Sequence, residues 1–73
     1  MRADDLKKLI ESQLENAIAN VKSDDNVHFQ AEVTCPLFEG KSRIQQQQMV
    51  YAIVNEHIKS GEIHALSLKT RAS

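Results

Sequence analysis

Three histidines, His28, His57 and His64, and one cysteine, Cys35, are the side chains here that could ligate a borderline metal or move a proton near neutral pH. A Gly-rich phosphate loop, a Cys-x-x-Cys pair and a His-x-x-x-His spacing are all missing from the sequence. Neither a self-contained metal site nor a catalytic triad can be assembled from that inventory. Enzymatic activity is therefore not expected.

His64 raises the sharpest question. It stands in Ile63-His64-Ala65-Leu66-Ser67-Leu68-Lys69, where counting by twos puts it on the same side as Leu66 and Leu68. A ring on a buried row could bond to backbone and fill space. At the mouth of a strand just after Gly61, it could instead leave a nitrogen free towards solvent, as an iron or zinc ligand does. One ligand is not a site, so the remaining donors would have to come from another molecule. The other candidates read more simply: His57 near a helix C-terminus, where a protonated imidazole suits the dipole; His28 as an exposed or half-exposed strand residue; Cys35 as a small residue at a strand end.

The elements that must position these residues follow from spacing. Leu6, Leu9, Ile10, Leu14, Ala17 and Ile18 recur in steps of three and four, with Asp4 and Asp5 ahead of them, which predicts a helix over 3–16. Ala17 and Ile18 could close that helix or open a strand. Residues 18–22 are short and mixed, and Ser23-Asp24-Asp25-Asn26 is a turn. Val27, Phe29, Ala31 and Val33 alternate with polar residues, so 18–22 and 27–34 form a β-hairpin that Cys35-Pro36 ends.

Ser42 is placed to cap a helix over Arg43–Lys59, whose apolar stripe is expected at Ile44, Tyr51, Val54 and Ile58, with Val50 and Ile53 beside it. Gln45 to Gln48 read as a solvated face of that helix. Ser60-Gly61 stops it, and residues 63–70 form the last strand. The fold class is thus α+β, a two-layer sandwich in which the last strand can run parallel to one of the earlier pair, giving a three-stranded mixed sheet.

With 73 residues the chain is expected to be one domain over 1–73, burying only about 60% of its unfolded surface. Nine basic residues against ten acidic give a formal charge of −1, which disfavours nucleic acid, although Lys41 and Arg43 lie close together. One cysteine allows no internal disulfide, no apolar signal core opens the chain, and no run approaches the ~18 residues of a membrane span. A cytoplasmic location without membrane contact fits best, with the free protein a monomer or weak dimer.

Four stretches together resemble the BolA family, particularly its short bacterial members. They are Val27-His28-Phe29-Gln30; Leu37-Phe38-Glu39-Gly40-Lys41-Ser42-Arg43 with its Phe-x-Gly-x-x-Arg pattern; Gln47-Gln48-Met49-Val50-Tyr51; and Ile63 to Lys69. The resemblance implies a type II KH-like fold of order α-β-β-α-α-β, which would divide the second helical segment in two. It also implies a monothiol glutaredoxin partner with a Cys-Gly-Phe-Ser motif and a role in iron–sulfur cluster assembly, trafficking or iron sensing. A [2Fe-2S] cluster would be held by the glutaredoxin cysteine, a glutathione thiolate and one or two ligands from this chain, with no cofactor in the isolated protein. The family's characteristic ligand falls on His64. Many relatives carry a second Cys or His between the first two strands; here Ser23–Asn26 has neither, and His28 is the nearest substitute.

The family is also described as DNA-binding, which would use the helix-turn-helix-like segment around 40–51, with Lys41 and Arg43 as contacts. A Gly-x-x-Gly loop of the kind KH domains use is missing, since the chain has only Gly40 and Gly61. Arg43 could equally be a helix-start residue that pairs with a carboxylate or fixes the preceding loop.

Overall fold

Leu6 and Ile10 lie four residues apart and are buried on one side of the first helix, α1 (Ala3–Gln13), with Leu14 buried just beyond its end, in a computed structural model that describes residues Met1–Ser73. The Arg2 N–H donates to the Asp5 carboxylate at 3.0 Å, which satisfies one of the donors a helix start leaves open. The helix is three residues shorter than the spacing predicts. Leu14 turns extended to stay in the core, and Asn16 takes a left-handed φ of 60°, a conformation Asn tolerates better than most residues. Ala17 and Ile18 therefore lead into a strand.

That strand, β1 (Ile18–Lys22), pairs antiparallel with β2 (His28–Thr34) from Ile18↔Thr34 to Lys22↔Gln30. The turn between them is held by Ser23, whose hydroxyl accepts the Asn26 N–H at 2.9 Å and donates to the His28 carbonyl at 2.7 Å. On the outer edge of β1, the Ala19 backbone is met by side chains of α1. Lys7 Nζ donates to its carbonyl at 2.7 Å, and Glu11 accepts its N–H at 2.9 Å while also bonding Lys7 at 3.0 Å.

After β2 comes a short 3-10 turn, Pro36–Phe38, and then α2 (Arg43–Lys59). The division of the second helical segment is thus a turn ahead of α2, and α2 itself runs unbroken because it contains neither Gly nor Pro. Ser42 caps it as expected: its hydroxyl accepts the Gln45 N–H at 3.1 Å, and the Gln45 side chain accepts the Ser42 N–H at 2.9 Å.

Two readings of α2 need correcting. Its inward stripe is Gln46, Val50 and Val54, whereas Ile44 is 69% exposed and Tyr51 lies at the surface. The glutamines are not merely a solvated face either. Gln46 is buried and donates to the carbonyls of Phe38 and Lys41, at 3.2 and 3.0 Å, and Gln47 donates to the Leu68 carbonyl. Apolar counting misses a stripe whose first member is a polar residue bonding to the loop before the helix.

The final strand, β3 (Ala65–Arg71), lies parallel to β2 in register from His28↔Ala65 to Thr34↔Arg71, so the sheet has order β1-β2-β3 and is mixed. The Cys35 N–H donates to the Arg71 carbonyl beyond the last paired rung. Ala19, Phe29, Ala31 and Val33 turn to the helices and are at most 2% exposed, while Asn20, Lys22, His28, Gln30, Glu32, Ser67 and Lys69 make an open polar face. Phe38, Ile63 and Cys35 complete the core between the layers. No helix is long and apolar enough to cross a membrane.

Candidate functional site

Glycine 61 ends α2 with a φ of +86°, and from there a short link leads to β3. The link is tied at several points. Its Ile63 N–H donates to the His57 carbonyl at 3.0 Å, Ser60 Oγ donates to the same carbonyl at 3.1 Å, and His57 Nδ1 meets the Glu62 carboxylate at 2.8 Å. The His57 imidazole and then the Ser60 hydroxyl, which also donates to the Glu62 carboxylate at 3.2 Å, hold the Glu62 carboxyl below its ordinary range. Ile63 itself is 1% exposed; burying such a side chain stabilises by about 1.5–3 kcal/mol, so it pins the segment that presents the next residue.

The next residue is His64, and the structure corrects its expected orientation. It is exposed and does not join the inward row of Leu66 and Leu68, which are half-buried against α2. The cause is a bulge-like bend at the mouth of β3. The Val27 carbonyl accepts two successive N–H groups, His64 at 2.7 Å and Ala65 at 3.3 Å. Neighbouring N–H groups of a regular strand point opposite ways, so one carbonyl accepting both means that the alternation is interrupted there. Counting by twos from Leu68 therefore carries the parity one residue too far.

The bend brings His64 to the open polar side of the sheet, where His28 stands at the first residue of β2, opposite Ala65. The two rings lie 6.2 Å apart, centre to centre, at 58° to one another. His28 Nδ1 is 2.6 Å from Asp25 Oδ2, while the other Asp25 oxygen accepts the N–H groups of Val27 and His28 at 3.0 and 2.9 Å. The His28 backbone N–H, then its imidazole, then the Val27 N–H hold the Asp25 carboxyl far below the usual carboxylate range. His28 and His57 each commit one ring nitrogen to a carboxylate; His64 commits neither.

Asp25 is the one member of this corner that sequence reading passed over. An Asp-x-x-His spacing across a turn, with the carboxylate folded back on the N–H groups that follow it, was the available signal. Cys35 is fully buried, its thiol facing the Glu15 carbonyl at 3.4 Å, and it sits at the far end of β2, roughly 20 Å from His28 at strand rise.

Lys41 and Arg43 are also at the other end of the molecule. Both are exposed, and the ion pairs of the chain, Lys7–Glu11, His28–Asp25 and His57–Glu62, leave Arg43 out. Arg43 instead lines an open concavity of about 570 Å³ with Gln47, Lys69 and Arg71, opposed by Glu32. The structure does not place Lys41 among its walls.

Nowhere do three His, Cys, Asp or Glu side chains converge to hold a metal ion. What the histidine corner offers is part of a set: two imidazoles, one of them braced by a carboxylate as metal-ligating histidines usually are. Their 6.2 Å separation is within about an ångström of that between two imidazoles sharing one metal ion with bonds near 2.0–2.1 Å. By type the donors fit the nitrogen half of a mixed nitrogen–sulfur site.

The chain matches the family of BolA-like proteins over residues 5–73. It is 41% identical over 63 residues to the acid stress protein IbaG of Escherichia coli K12, an alignment covering 82% of this chain and 75% of that protein. Its fold superposes on a BolA homologue from Coxiella burnetii with a TM-score of 0.84 at 36% identity, covering 100% of this chain and 91% of the other. Yeast Fra2 is similar with a TM-score of 0.72 at 29% identity, over 99% and 80% of the two chains. Helix order, mixed sheet and sequence agree, and the chain belongs to the BolA-like protein family.

Proposed function

We propose that this protein is a non-enzymatic adaptor that binds a monothiol glutaredoxin and contributes His64, with His28 beside it, to a [2Fe-2S] cluster shared with the glutaredoxin cysteine and glutathione. One observation carries the reading: an exposed imidazole with both nitrogens uncommitted, held by a buried isoleucine and a strand bulge, 6.2 Å from a second imidazole. The rest of the chain supplies no thiolate at that corner, since its only thiol is buried elsewhere. A cluster with imidazole on one iron and thiolate on the other has a raised potential relative to all-thiolate ligation. This chain's part is to present two neutral nitrogens, keep their rings in place, and cover one side of the site with the polar face of its sheet.

The test is reconstitution. The purified protein is mixed with a monothiol glutaredoxin, iron, sulfide and glutathione, and visible absorption and circular dichroism are recorded. A heterocomplex with a spectrum unlike that of the glutaredoxin homodimer is expected. A spectrum identical to the homodimer's, with no complex formed, would end the proposal. His64→Ala should alter the spectrum while apo association persists.

A second reading has its own observation. Arg43, Lys69 and Arg71 line one concavity, which is a basic surface a DNA backbone could meet. It predicts binding to duplex DNA that weakens steeply with salt and with Arg43→Ala. No shift at low salt removes this reading for the protein.

A further inference from the structure

We infer that Asp25 is a positioning residue that locks His28 in the Nδ1–H tautomer, so that Nε2 is the atom the second imidazole offers to a metal. The inference rests on the histidine corner being a ligand site, and it names the residue that decides which nitrogen of His28 is available there. Nothing in the turn sequence supplies a second Cys or His. The turn supplies a carboxylate in their place.

The geometry leaves little freedom. Asp25 Oδ1 is occupied by two backbone N–H groups, at 3.0 Å from Val27 and 2.9 Å from His28, so the side chain cannot rotate without giving up both. Oδ2 then faces His28 Nδ1 at 2.6 Å. An ionised carboxylate only accepts, so the proton between them belongs to the imidazole nitrogen, and the lone pair of the neutral ring is at Nε2. The side chain of His28 is 61% exposed, on the open polar face and not against the core. Ser23 closes the same turn from below, accepting the Asn26 N–H and donating to the His28 carbonyl, so the acid and the ring are anchored by one short loop.

The same geometry makes Asp25→Asn a discriminating substitution. Its one carbonyl oxygen must stay on the two backbone N–H groups to keep the turn. Its amide NH2 is then turned towards His28 Nδ1, which can approach only as an acceptor. The tautomer reverses, Nε2 gains the proton, and the turn survives.

The experiment begins with the apo protein, uniformly labelled with nitrogen-15, at a pH about two units above the ordinary imidazole value. Two-bond correlation spectra of the histidine rings should show His28 with Nδ1 protonated in the wild type and with Nε2 protonated in Asp25→Asn, His64 being unchanged. A wild-type His28 already in the Nε2–H form, or a variant whose ring does not respond, would overturn the inference. The glutaredoxin heterocomplex is then reconstituted with Asp25→Asn, His28→Ala and His64→Ala. The first two should shift the visible circular dichroism alike, and differently from the third. If His64→Ala changes the spectrum while Asp25→Asn and His28→Ala leave it untouched, the role of Asp25 falls and the cluster reading stands. If none of the three changes it, the cluster reading falls, and the tautomer result by itself no longer concerns a metal.

Discussion

The rings of His28 and His64 meet at one corner because the carbonyl of Val27, the residue before His28, takes the N–H groups of both His64 and Ala65. A single acceptor thus joins the mouths of two parallel strands and turns the second imidazole out of the core. That arrangement separates the role of His64 from the stability of the fold, which can be tested directly.

Replacing His64 by Ala should leave the unfolding free energy of the apo protein, from urea titration, within about 0.5 kcal/mol of wild type, as for other exposed residues without partners. A loss of more than about 2 kcal/mol in equilibrium unfolding would show that the ring is part of the packing instead.

The glutamine run should divide by position. Gln46→Leu keeps the bulk but removes two hydrogen bonds, a buried one to Phe38 and a part-buried one to Lys41, and should cost about 1–2 kcal/mol. Gln48→Ala, on the exposed side, should cost under about 0.5 kcal/mol. Denaturant titration of the two variants side by side decides it, and equal effects would contradict the burial seen here.

Glu11 gives a pH dependence. The Ala19 N–H, then Lys7, hold its carboxyl below the ordinary 4.5. A value lower folded than unfolded means that the contribution is complete above about 4.5 and is lost as the pH falls through the folded value. Glu11→Gln should therefore cost about 1 kcal/mol at neutral pH and much less at the acid end of that window. Thermal or urea unfolding of both proteins from pH 7 down to pH 3 tests this; parallel curves would contradict it.

Gly61 has a left-handed φ and open space where a Cβ would go, so the cost of Gly61→Ala is backbone strain alone, about 1–2 kcal/mol. Gly61→Asn should cost less, because Asn tolerates that region. Equal midpoints for Ala and Gly would show that the link to β3 can relax.

Most of the architecture could be read from the chain. Phe29, Ala31 and Val33 alternate cleanly because one face of β2 is buried and the other open, and Ser42 with Gln45 is a capping pair in the ordinary spacing. What escaped were places where a hydrogen bond overrides a period. Gln46 occupies a core position by bonding to loop carbonyls, and His64 leaves its row because Val27 breaks the alternation. Asp25 and His28 are joined by their own turn, three residues apart, but His64 is 36 residues further on, and only the register of β2 on β3 sets it beside them.

The clasp of Lys7 and Glu11 on Ala19 has a consequence for how this small sheet lives among other chains. Both outward hydrogen-bonding groups of Ala19, on the outer strand, are already taken, so an incoming extended peptide finds no ladder to continue there. A strand adding to that side would have to displace, at its first rung, two side chains of the molecule's own opening helix.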